Sequence, residues 1–147
     1  LTLAEHENII GIKEASANIF KAMDILRNRK NDFLFLSGDD VMTYPLMCLG
    51  ANGVISVIAN AMPENFSRMV NHCLNNRFNE ALEIHNSLIN IINLIFKEGS
   101  PTGVKALLNI MNIIPEEASA LRLPLVEATE NLKKEIKEEV NEKNFLC

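Results

Sequence analysis

Three short, continuously apolar runs punctuate the first sixty residues: 8–13 (NIIGIK), 33–37 (FLFLS) and 53–58 (GVISVI). Between them the spacing changes to that of helices. Residues 19–29 carry Ile19, Ala22, Met23, Ile25 and Leu26 on one stripe, after cap candidates Ser16 and Asn18. A second helix is predicted over 41–49, closed by Gly50, with Pro45 near its start. A third opens at Pro63, a residue suited to the first helical position, and runs to about residue 75. Strands without polar alternation are buried on both faces, and their alternation with helices is the mark of parallel βα units. Each crossover is long enough for a right-handed helical connection.

From Arg77 onward the pattern is helical only. Residues 78–97 are apolar around more than one stripe, which is more than one core face uses, so part of this helix is expected to meet another element or another subunit. Ser100 and Pro101 read as an N-cap and first helical residue of a helix reaching Met111. The segment 121–125 (LRLPL) reads as an extended connector, because the residue before a proline is pushed out of the helical region. Thr129 is a cap candidate for a last amphipathic helix with Leu132, Ile136 and Val140 on its apolar face. The expected organisation is a set of parallel βα units over 1–76 and a helical domain over 77–147, the sheet being completed elsewhere or forming part of a larger fold. Three parallel strands cannot close, and their two edges are rows of unpaired backbone groups. Faces bearing Ile9, Phe35 and Ile55 are then expected to look toward missing strands.

Composition narrows the function. Of 147 residues, 48% are hydrophobic and 22% charged, ordinary for a folded globular chain. Fourteen basic against 19 acidic residues give a net charge of −5, which argues against nucleic acid as a partner. Cys48, Cys73 and Cys147 are an odd number without metal spacing, so a reducing, cytoplasmic setting is expected. His6, His72 and His85 also lack metal spacing, and no metal is expected. The longest uncharged stretch, between Asp40 and Glu64, is broken by Pro45, Gly50 and Gly53 and does not read as a membrane span. The first residues (LTLAEH) have neither the basic start nor the apolar stretch of a signal peptide. A start at Leu1 so close to a buried strand points to a fragment of a longer protein or to a processed chain.

Lys13 is the position with the most chemistry. It ends an apolar strand, and alternation puts it on one face with Ile9 and Gly11, with Ile10 and Ile12 opposite. Gly11 is expected to leave room there for a small ligand. An amine leaving a strand end into an apolar concavity is poorly solvated as an ammonium ion, which frees it to attack a carbonyl. The alternative is a lysine with a buried stem and a head that reaches solvent. The phosphate-loop pattern GxxxxGK is absent. Asp39 and Asp40 read as helix caps in preference to an acid–base pair. Lys105 follows a helix start; an anion site and a solvated lysine are both open.

The segments Ile10-Gly11-Ile12-Lys13-Glu14-Ala15-Ser16, Leu36-Ser37-Gly38-Asp39-Asp40 and Gly53-Val54-Ile55-Ser56-Val57 with Ala59-Asn60 resemble, in order, the second half of the dihydrodipicolinate synthase family. Residues 96–107 (FKEGSPTGVKAL) and 121–125 resemble the same family's C-terminal region. The resemblance implies strands six to eight of a (β/α)8 barrel followed by a C-terminal helical domain. It implies a pyruvate-dependent class I aldolase, a lyase of lysine and diaminopimelate biosynthesis that joins pyruvate to aspartate 4-semialdehyde. Lys13 would be the Schiff-base lysine. Gly38 and Ile55 would line the pyruvate pocket, Ile55 through its main-chain carbonyl. No cofactor is implied, since the protonated imine is the electron sink. Partners would be the two small substrates and further copies of the chain, a tetramer in complete members, with neither nucleic acid nor membrane.

Some of the family's pattern is not found here. The catalytic tyrosine, the threonine pair that binds the pyruvate carboxylate and the arginine for the second substrate belong to the other half. Tyr44, the only tyrosine, is not given that catalytic role. Gly103 stands where many relatives have a second proline. Two alternatives accompany the synthase reading: N-acetylneuraminate lyase or a 2-keto-3-deoxy sugar acid aldolase of the same superfamily, and a non-catalytic fragment that supports assembly. Glu14-Ala15-Ser16 and Gly38-Asp39-Asp40 lean toward the synthase. The 147 residues alone are expected to be inactive.

Overall fold

The structure, a computed structural model, describes residues 2–145. Cys147 therefore lies outside the described residues. The elements run β1 (Gly11–Glu14), α1 (Ile19–Asn28), β2 (Leu34–Ser37), α2 (Asp40–Cys48), β3 (Gly53–Val54), α3 (Pro63–Leu74), α4 (Phe78–Phe96), α5 (Thr102–Ile110) and α6 (Glu130–Glu142). Short 3-10 turns lie at Thr2–Glu5, Ile58–Asn60 and Glu116–Ser119. Packing divides the chain into two compact units. One holds the residues up to Ser56 and Phe66–His85; the other holds Val57–Asn65 and the residues from Asn86 onward.

The first unit is built on a parallel sheet in the order β1-β2-β3. Gly11, Ile12, Lys13 and Glu14 pair with Leu34, Phe35, Leu36 and Ser37; Leu36 and Ser37 pair in turn with Gly53 and Val54. Partners in a parallel ladder share a face, so Ile12, Glu14, Phe35 and Ser37 lie together and Gly11, Lys13, Leu34 and Leu36 lie on the other side. The first set contains the buried residues: Phe35 and Ser37 are fully enclosed and Glu14 nearly so. The second set is open, with Leu34 40% exposed. Phe35 was expected on the open face and is found on the covered one. An unbroken apolar run has no alternation from which to tell its two sides.

Helix starts follow their caps. The Asn18 side chain accepts from the Lys21 amide, and that of Asp39 from the Met42 amide at 2.9 Å. Asp39 thus acts as the expected cap. Gly50 (φ +96°) reverses the chain after α2, a conformation glycine takes without strain. The core of this unit includes Phe33, Phe35, Leu46, Phe66 and Met69, all buried. The third strand is shorter than its apolar run. Ile55 still donates to the Ser37 carbonyl (2.9 Å), but β2 has turned away at Gly38 and offers no further ladder, so the chain leaves into the turn at Ile58–Asn60.

In the second unit, Leu88, Ile91, Ile92, Ile95, Leu107, Leu132, Ile136 and Val140 are enclosed. The four-residue spacing in α6 is thus its buried stripe, and the Thr129 hydroxyl caps it by accepting from the Leu132 amide. Ser100 does not cap α5, whose first helical residue is Thr102 and whose flanking residue is Pro101. The close approach there depends on Gly103: a Cβ on it would collide with the Ile95 main chain. The 121–125 segment contains a turn, Leu125 donating to the Arg122 carbonyl, where a wholly extended connector was expected.

Candidate active site

Lys13 stands at the C-terminal end of β1, next to the last residue, and its side chain is exposed on the open face of the sheet. Its neighbours in the ladder are Leu36 and, one strand further, Gly53. The stem of Lys13 lies against Gly38. A Cβ on Gly38 would stand 2.8 Å from Cε and 3.0 Å from Cγ of Lys13, and 2.7 Å from the Ala15 Cβ. The Gly38 amide donates to the Glu14 carbonyl at 2.7 Å, which fixes the start of the β2–α2 turn against the end of β1. Ile55, half exposed, follows β3 directly and is held to β2 through the Ser37 carbonyl. Lys13 and Gly38 are thus in contact, and Ile55 lies alongside the end of the same ladder.

The site is half a container. The apolar concavity expected around the amine is not formed by the described residues, since Lys13, Leu34 and Ile55 are open to solvent on that face. Gly11 does not provide ligand space. A Cβ there would stand 2.7 Å from both the Cβ and the carbonyl oxygen of Leu34, so the glycine serves the close approach of β2.

Beneath the open face the strand ends are held by polar groups that the sequence reading passed over. Glu14, 5% exposed, accepts from the Ser16 amide (3.1 Å) and from the Lys21 ammonium (3.3 Å). Burial works to raise its pKa, but the Ser16 amide and hydroxyl and the Lys21 ammonium outweigh it and hold the carboxyl below the usual range. Ser37, fully buried, donates to the Asp39 carbonyl (2.8 Å) and accepts from the Thr43 hydroxyl (3.2 Å). A polar residue closing an apolar run, just before Gly-Asp-Asp, was the available signal for Ser37. For Glu14 no local signal was available, because its burial depends on which side of the sheet is covered.

The remaining candidates have structural roles. Tyr44 stacks on His85 (ring centroids 5.2 Å apart, 26° between planes) and donates to the Phe78 carbonyl at 3.4 Å. Burial, with a bond to Cys48, pushes its hydroxyl pKa up, and burial pushes that of His85 down. The Cys73 thiol is pushed up to about 11, first by burial. Lys105, half-buried, donates to the carbonyls of Ala118 (2.8 Å) and Ala120 (2.7 Å). Among the described residues, no three His, Cys, Asp or Glu side chains gather as a metal site, and no helix is long and apolar enough to cross a membrane.

Residues 1–143 match the model of the Dihydrodipicolinate synthetase family. A 4-hydroxy-tetrahydrodipicolinate synthase of Phocaeicola vulgatus is 45% identical over 143 residues, covering 97% of this chain and 47% of the relative. Among solved structures, the dihydrodipicolinate synthase of Thermotoga maritima superposes with a TM-score of 0.91 at 32% identity, covering 97% of this chain and 48% of that one. The chloride-inhibited dihydrodipicolinate synthase of Acinetobacter baumannii, solved with pyruvate, gives 0.91 at 29% identity, covering 99% and 49%. The chain spans about half the length of the curated relatives it matches. Its three parallel βα units and the helices after them are the second half of a (β/α)8 barrel fold with its C-terminal helices.

Proposed function

The chain belongs to the dihydrodipicolinate synthetase family, and we propose that it is the C-terminal half of a lyase that condenses pyruvate with aspartate 4-semialdehyde. Lys13 is the nucleophile in this reading. Its Nζ attacks the keto carbon of pyruvate, water leaves, and a protonated imine forms. Loss of a methyl proton from that imine gives an enamine, whose carbon attacks the aldehyde of the second substrate. The imine itself withdraws the electrons, so no metal or organic cofactor takes part. Gly38 and Ile55 border the pyruvate beside Lys13. The first five βα units supply the proton relay and the groups that bind the carboxylates.

One observation carries the reading: an exposed lysine at a C-terminal strand end, on the sheet face that the helices leave open, with its stem laid against the glycine that directly follows the next strand. Barrel chemistry is carried by the C-terminal strand ends, where loops from several strands converge. In this reading residues 1–76 are barrel units six to eight and 77–147 the helical domain. The complete enzyme is a cytoplasmic homo-oligomer, a tetramer, of lysine and diaminopimelate biosynthesis.

Incubating the complete enzyme with pyruvate and borohydride, followed by peptide mapping, tests the assignment. The expected adduct is on Lys13. An adduct on Lys105, or none, overturns it.

A further inference from the structure

Glu14 follows Lys13 directly, yet its carboxylate is on the opposite, covered side of the sheet and is 5% exposed. Burying a carboxylate is costly, and an apolar residue in its place would match neighbours such as Phe35. The carboxylate has a defined set of partners. It accepts from the Ser16 amide and from Lys21, in the first turns of α1, so it joins the strand end, the turn and the helix start. Within that turn Ala17 has a left-handed backbone (φ 54°), and the Ser16 hydroxyl accepts from the Asn18 amide. The main-chain carbonyl of Glu14 holds the Gly38 amide, and Gly38 is the residue against which the Lys13 stem lies. The carboxylate thus fixes the turn that follows Lys13, while the glycine beside Lys13 is held by the main chain of the same residue, which every side chain at position 14 would leave in place.

We propose that Glu14, anchored by Lys21, is a positioning residue that sets the direction of the Lys13 amine. The proposal rests on the Schiff-base reading of Lys13. It assigns Glu14 no contact with substrate, because the sheet separates its carboxylate from the open face.

The test compares Glu14→Met, Glu14→Gln and Lys21→Met in the complete enzyme. Melting temperature, the rate of borohydride-trapped pyruvate adduct, and kcat and KM are read for each. Glu14→Met should remain folded and form the adduct about tenfold more slowly or worse, the loss appearing in kcat with the KM for aspartate 4-semialdehyde little changed. Glu14→Gln, which keeps an acceptor for the Ser16 amide, should recover most of that rate. Lys21→Met should fall between the two; Lys21 is 56% exposed, so its removal leaves the core intact. A merely structural role would lower the melting temperature and leave the folded fraction trapping pyruvate normally. Wild-type trapping rates in folded Glu14→Met overturn the proposal. If that variant does not fold, wild-type rates in both Glu14→Gln and Lys21→Met overturn it. No adduct on Lys13 in the parent enzyme removes the Schiff-base reading and this proposal with it, whereas a normal parent with indifferent variants removes this proposal alone.

Discussion

The side chain that Gly38 lacks would occupy the space of Lys13: a Cβ there would stand 2.8 Å from Cε and 3.0 Å from Cγ of the lysine stem. The first distance is shorter than side chains tolerate and the second is tight, and the Ala15 Cβ at 2.7 Å closes the other way out. Gly38→Ala should therefore turn the lysine away from its present path. In the complete enzyme the expected result is pyruvate trapping slowed about tenfold or more. Trapping at the parental rate would mean that the stem relaxes without cost.

Lys13→Arg keeps the charge and removes the chemistry. Guanidinium stays protonated and forms no imine under these conditions. Turnover above about a tenth of the parent's in a steady-state assay would contradict the proposed mechanism.

Gly103 is a packing site of a different kind. It lets the start of α5 meet the main chain of Ile95, so Gly103→Ala must displace a backbone, which cannot swing aside as a side chain would. Overpacking of this sort costs about 1–3 kcal/mol, and chemical denaturation should register it as a lower midpoint with an unchanged slope.

Acid should weaken the strand-end turn. The Glu14 carboxyl is held below its ordinary value of 4.5. A pKa lower in the folded than in the unfolded chain means that ionisation favours folding. That contribution is complete above the unfolded-state value and is lost as pH falls through the folded one. The stability difference between the parent and Glu14→Gln should be constant near neutrality and shrink as the pH drops below about 4.5. A difference independent of pH across that window would show that the carboxylate charge is immaterial to the fold.

The 147 residues by themselves should lack synthase activity and self-associate. Lys13 would have neither relay nor carboxylate clamp, and the open sheet face presents Leu34 and Ile55, 40% and 50% exposed, between two unpaired strand edges. Sedimentation velocity at several concentrations, beside an assay with pyruvate and aspartate 4-semialdehyde, reads both. A stable monomer at tens of micromolar, or measurable turnover, would contradict the respective half of the prediction.

The order of elements, the caps Asn18, Asp39 and Thr129, the stripe Leu132-Ile136-Val140 and the strand-end position of Lys13 were all legible in the sequence. Each depends on hydrogen bonds or side-chain spacing within a few residues, and such spacing is written directly into the chain. Which side of the sheet is covered was decided only in three dimensions. The run of residues 33–37 is apolar throughout, so nothing local separates Phe35, buried, from Leu34, open; the helices packed on one side make that choice. The same holds for Gly11 and Gly103, whose missing side chains matter because Leu34 and Ile95 arrive from elsewhere in the chain. It holds for Lys105, captured by the carbonyls of Ala118 and Ala120, and for Glu14, whose burial depends on the return of α1 with Lys21. A residue's neighbours in sequence determine its backbone conformation, but the fate of its side chain depends on which distant surface comes to lie against it.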